Sequence, residues 1–168
     1  MVSTSELLID GFGRIRETVH AVVDGLDERQ LTFRAEGRGN SIAWLVWHLS
    51  RVQDDHVADV AGTKQAWTDQ GWAARFGLPF DETATGYGQS HDEVAQVRPT
   101  AELLAGYHDA VHERTVGYLR GLRDDDLGRV VDERWDPPVT LAVRLVSVVD
   151  DDAQHIGQAA FVRGLLPG

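Results

Sequence analysis

Apolar residues recur with a period near 3.6 in four stretches of the chain, and stepping each stretch at 100° per residue gathers them onto one arc. The first spans about residues 4–25, with Leu7, Leu8, Phe12, Ile15, Val19, Val22, Val23 and Leu26 as its stripe. Gly11 and Gly13 weaken it locally. The second opens at the capping residues Asn40 and Ser41 and reaches about Val60. Trp44, Leu45, His48, Val52 and Asp55 share one of its faces, so its core side carries polar groups. Thr100 caps a third helix that reaches about Arg123, striped by Leu103, Leu104, Tyr107, Val111, Thr115, Tyr118, Leu119 and Leu122, and the acidic run Asp124, Asp125, Asp126 ends it in solvent. After a turn at Trp135, Asp136, Pro137 and Pro138, Thr140 caps a fourth helix that runs to Leu166. Its stripe is Leu141, Leu145, Val148, Ile156, Ala159, Val162 and Leu166.

Between the second and third helices lies a long excursion, residues 61–99, rich in Gly, Asp and Thr but carrying Trp67, Trp72, Phe76, Phe80 and Tyr87. It is too aromatic for a disordered linker and predicts a packed segment with one short helix over 65–76. Four long helices, one excursion and no sustained strand alternation predict an all-α four-helix bundle, with residues 1–168 as a single domain.

Composition narrows the chemistry. With 27 acidic against 16 basic residues the formal charge is -11, which argues against nucleic acid or an anionic membrane as partner. There is no cysteine, so any sulfur chemistry must use a thiol from outside. The N-terminal stretch lacks the basic region and apolar run of a signal peptide, and a cytoplasmic protein is expected. Lys64 is the one lysine, a usage that points to a high-GC bacterial genome.

The stretch DDDAQHIGQ, residues 150–158, interrupts the apolar face of the fourth helix with charge. By helical phase Asp152 and His155 lie inside the buried arc, Asp151 at its edge and Asp150 on the far side, solvated. Asp151 and His155 are four apart, so they stack one turn from each other and can grip one ion. His48, mid-helix on the core side of the second helix, can face them across a bundle. Two histidines and a carboxylate leave a coordination position open, as catalytic zinc sites do. The competing reading makes His48 and His155 core histidines bonded to carboxylates such as Asp151 and Asp152. His108 and His112 are also four apart and read as a partly exposed flank; His20, His56 and His91 have no spacing partner. Gly157 keeps the outer side of its turn small, as for close packing.

Two segments, NSIAWLVWHLSRVQDDHV and VRLVSVVDDDAQHIGQAAFVRGLL, resemble the DinB-like (DinB/YfiT-like) superfamily of helical bundles, which includes mycothiol- and bacillithiol-dependent transferases. Helix order and the position of the excursion agree as well. The resemblance implies a divalent metal held by His48, Asp151 and His155, with a carboxylate where histidine is commoner, as in members resembling mycothiol-dependent enzymes. Zinc is the first expectation, with nickel, manganese and iron as alternatives. It further implies that a low-molecular-weight thiol such as mycothiol, bound as thiolate, attacks a small electrophile. Asp152 and Asp55 are candidates to fix imidazole tautomers or take the thiol proton. Arg51 and Gln158 are candidates to orient polar substrate groups, and Trp72 and Tyr87 to contact the ligand. A non-catalytic metal- or small-molecule-binding bundle of a stress response and a metal-dependent hydrolase are the alternative functions. A homodimer is expected.

Overall fold

Each periodic stretch folds as a helix with a side-chain cap at its start. The computed structural model describes residues 2–166. The four long helices are Thr4–Val23, Ile42–Ala61, Ala101–Arg120 and Leu141–Gly164. Ser3, Ser41, Thr100 and Thr140 each accept a hydrogen bond from an otherwise orphaned backbone N–H of the first turn. Glu6 returns the bond to the Ser3 backbone, completing a capping box. Gly62, at φ 66°, closes the second helix in the left-handed conformation.

Contacts between the helices fix their directions. Ser5 donates to the Leu119 carbonyl at 2.5 Å, while Arg16 pairs with Asp109 at 2.6 Å, so the first and third helices are antiparallel. His48 faces His155 with ring centroids 4.7 Å apart, and Arg144 donates to His56, so the second and fourth are antiparallel. Ser50 meets His108 and Gln53 donates to Thr115, so the second and third run parallel. The bundle is therefore up, down, down, up. Returning the chain from the end of the second helix to the start of a parallel third requires about 30 Å of travel, the length of a 20-residue helix. The excursion makes that journey.

The core holds most of the expected stripes, among them Phe12, Val19, Leu45, Leu104, Leu119, Leu141 and Leu145, but Leu7, in the first turn of its helix, is 68% exposed. Beneath the excursion is an aromatic annex in which Trp67 packs edge-on to Trp47 and Phe76 and against Tyr107 at 5.0 Å. Four expectations are corrected. The single helix over 65–76 is two, Ala66–Asp69 and Trp72–Phe76, because Gly71 adopts φ 73° between them. A two-stranded antiparallel ladder joins Val130–Asp132 to Val139–Thr140, too short to leave an alternating pattern. Gly157 supports no close packing: a Cβ there would meet nothing within 4 Å, and the residue borders an opening of about 410 Å³. His108 is fully buried, not on a flank, because the third helix is covered by both the first and the second and so buries a wider arc than its stripe.

Among the described residues no helix is long and apolar enough to cross a membrane. The Ser50 hydroxyl hydrogen goes to the Val46 carbonyl, so the His108 Nδ1–H donates to Ser50 Oγ and leaves Nε2 buried without a partner. Burial pushes the His108 pKa from 6.5 down to about 3, with His112 adding repulsion. Below pH 6.5 the unfolded chain takes up a proton that the folded one refuses. His108 therefore contributes stability above pH 6.5 that is lost progressively as pH falls toward 3, at up to about 1.4 kcal/mol per pH unit. Urea unfolding of wild type is expected to shift to lower midpoints between pH 7 and pH 5, and His108→Gln is expected to flatten that dependence.

Candidate metal centre

His48, Asp151 and His155 converge where the second and fourth helices face each other. Among the described residues they are the group whose ligand atoms all lie within 4.8 Å of one another. Helical spacing sets the Asp151 Oδ1 to His155 Nε2 distance at 3.6 Å, near the roughly 3.4 Å edge of a tetrahedron with bonds of about 2.1 Å. His48 is buried, and the other two ligands are half-buried.

Each imidazole is held by its far nitrogen. The Thr85 carbonyl can only accept, so its 2.5 Å contact with His48 Nδ1 places the proton there and leaves Nε2 with a lone pair. His155 Nδ1 donates to Gln158 Oε1 at 3.2 Å, which frees its Nε2 in the same way. Trp44 stacks on His48 at 4.6 Å with its own N–H bonded to Gln89 Oε1 at 2.7 Å, so the ring is clamped on its flat face as well. Gly86 lies so close that a Cβ would meet His48 Nδ1 at 2.8 Å, and its φ of 97° is open chiefly to glycine.

The protonation states suit a cation. Burial pushes His48 down, toward the neutral ligating form. Burial alone would raise Asp151, but His155 beside it, with the charges of His48 and His56, brings it below its ordinary value and keeps it ionised. The hydrogen bond and charge of Asp151 push His155 up, toward the protonated form when no cation is bound. Asp151 Oδ2 is buried with no hydrogen-bond partner. Two lone pairs, one carboxylate and an orphaned oxygen at one point fit a divalent metal, with zinc among the ions such a donor set accepts.

The remaining candidates lie elsewhere. Asp152 is fully buried with both oxygens unpartnered, and burial with the charge of Asp151 pushes it well above the usual carboxylate range. It bonds neither imidazole. Asp55 accepts from Gln65 Nε2 at 2.7 Å. Arg51 has no exposed surface, and its donors are spent on the Glu82 and Ala84 carbonyls, Gln65 Oε1 and the Tyr107 hydroxyl, so it orders the excursion and presents nothing to a ligand. Gln158 orients His155. Trp72 packs against Tyr107 in the annex, and Tyr87 is 93% exposed. Sequence reasoning missed Thr85 and Gln89. A backbone carbonyl leaves no trace in residue identity, and only the paired glycines around Tyr87 hinted that this turn approaches something closely.

These features define a DinB-like four-helix bundle with a two-histidine, one-carboxylate centre. A family model described as mycothiol S-transferase matches residues 7–168, and the chain belongs to that family. It is also similar to the crystal structure of a conserved protein from Enterococcus faecalis, at 29% identity and a TM-score of 0.90 over 97% of this chain and 96% of that one. No curated protein matches.

Gly86→Ala is expected to weaken zinc binding about 10- to 100-fold, by displacing the Thr85 carbonyl from His48, while helix content is preserved. Titration against a chromophoric chelator, with circular dichroism as control, measures both. Adding zinc to wild type in weakly buffered solution near pH 7 is expected to release a proton from His155, and less of one in His155→Ala.

Proposed function

We propose that the protein conjugates mycothiol, or a closely similar small thiol, through its sulfur to a small electrophile, with a divalent metal as cofactor. The observation that carries this reading is the arrangement of His48, Asp151 and His155, each imidazole held by its Nδ1 with Nε2 free, in a chain that has no cysteine of its own. Family membership supports the transferase class.

A divalent cation held by these three residues would stabilise a thiolate over the thiol at neutral pH. Asp151 then has two duties. Its Oδ1 lies toward His155, and Oδ2, ionised and unpartnered, is placed to accept the proton that the thiol loses. Thr85 and Gln158 keep the two rings from turning as charge moves. Trp44 and the Gly86 turn wall the His48 side of the centre against water. The sulfur forms its new bond to carbon with its own electron pair. The pair displaced from the electrophile leaves with the leaving group or settles on an adjacent carbonyl system, where the proton held at Asp151 can be returned. Asp152 remains a neutral core acid and Asp55 an anchor for Gln65. A reducing cytoplasm is the compartment that supplies such a thiol.

Wild type with one equivalent of zinc is expected to conjugate mycothiol to 1-chloro-2,4-dinitrobenzene. Asp151→Ala and His155→Ala are expected to fall at least about 100-fold, with metal content reduced. Turnover by both variants equal to wild type, or hydrolysis of ester substrates without any thiol, would overturn the reading.

A further inference from the structure

The second and fourth helices, which carry His48, Asp151 and His155, also border a polar cleft two helical turns away from those residues. On the second helix Asp55 and Asp59 repeat the phase of His48 seven and eleven residues on, and on the fourth helix Arg144 repeats that of Asp151 seven residues earlier. Asp55, His56, Asp59, Glu133, Arg134 and Arg144 line about 530 Å³ of space there. The cleft is far more polar than the opening near Gly157, which is bordered by Leu45, Phe161 and Val162.

Its groups are ordered. Asp132, largely buried, accepts from Arg134 Nε and Nη2 at 2.9 and 2.8 Å and from Arg144 Nη2 at 3.2 Å. Arg144 Nη1 can only donate to His56 Nδ1, at 2.5 Å, which fixes the ring proton on Nε2 and makes His56 an oriented N–H donor. Among the described residues the side-chain carboxylates of Asp59 and Glu133 accept no hydrogen bond, while the Asp59 backbone carbonyl accepts from Gly62. Four carboxylates against two guanidiniums, in a chain of charge -11, disfavour phosphorylated or carboxylated ligands. Among the described residues no Phe, Tyr or Trp lines the cleft, so it lacks the broad aromatic wall that a flat base or arene favours. Unpaired acceptors beside fixed donors suit vicinal hydroxyls.

We propose that this cleft binds the uncharged polyhydroxylated body of the thiol co-substrate, so that the cysteinyl arm runs along the second and fourth helices toward His48, Asp151 and His155. The inference rests on the transferase reading for the identity of its ligand. Along the helices the cleft lies about 11 Å from His48 and Asp151. A cysteinyl amide covers about 6 Å from sulfur to the sugar ring that carries it, and the two rings beyond fill the remainder. The division is chemical: the polar cleft selects the thiol, and the electrophile approaches from elsewhere.

The test uses Asp59→Ala and Glu133→Ala, both exposed positions, in the full-length zinc-loaded protein. N-acetylglucosaminyl-inositol, which has the hydroxyl-bearing body and no sulfur, is expected to bind wild type by calorimetry and to bind each variant about tenfold more weakly. The kcat/KM preference for mycothiol over N-acetylcysteine is expected to drop about tenfold in the same variants. Absence of binding to wild type, equal binding to the variants, or an unchanged preference between the two thiols would overturn the assignment. If no thiol is turned over and yet the variants lose the body, the cleft stands and the transferase reading falls.

Discussion

A guanidinium with no exposed surface governs the geometry of the metal centre. Arg51 and Asp54 lie one turn apart on the second helix and 3.8 Å from each other, and between them they pin both ends of the excursion's inner path. Asp54 accepts from the backbone N–H groups of Ala66 and Trp67, at 2.8 Å each, and from the Tyr107 hydroxyl at 2.9 Å. Arg51 donates to the carbonyls of Glu82 and Ala84, and its guanidinium lies over the Trp67 ring. Thr85 comes next in the chain, and its carbonyl sets the tautomer of His48. Burying such a pair is weak evidence of stabilisation, since desolvation offsets much of the attraction. What the pair provides is position: removing either partner strands the other charge and frees the turn that orients a ligand.

The topology makes this dependence unavoidable. Two helices running in the same direction cannot be joined by a short turn, so the bundle carries a long connection across its face. A connection of that length usually costs order, but the aromatic annex of Trp47, Trp67, Phe76 and Tyr107 gives it a small core of its own. The candidate metal centre lies under this strap, where Thr85 and Gly86 meet His48. One of its ligands therefore has a rigid helix beneath it and a fixed carbonyl above.

Much of this was legible from periodicity and caps. Ser41, Thr100 and Thr140 announced three helix starts within a residue, and the i, i+4 spacing of Asp151 and His155 required only that the helix exist. The four-helix architecture followed from the stripes. What was not legible depends on the third dimension. His108 reads as a flank on a wheel because a wheel knows nothing of a second neighbouring helix. Arg51, one turn past His48, reads as a candidate for substrate, yet its partners are backbone carbonyls brought back by the excursion. Arg144, the partner of His56, lies on the fourth helix and in turn donates to Asp132 just before that helix, so no local spacing could reveal that cluster.

The antiparallel pairing of the second and fourth helices draws the centre's ligands from opposite halves of the chain. A cation gripped by all three can recognise only a bundle in which the fourth helix has docked, because the unfolded chain offers no such grouping. With a metal bound there, occupancy and completion of the fold would be thermodynamically linked, and each tenfold excess of free metal over its dissociation constant would add about 1.4 kcal/mol to the native state. Metal supply would then become, through that linkage, one determinant of how much of this protein survives folded.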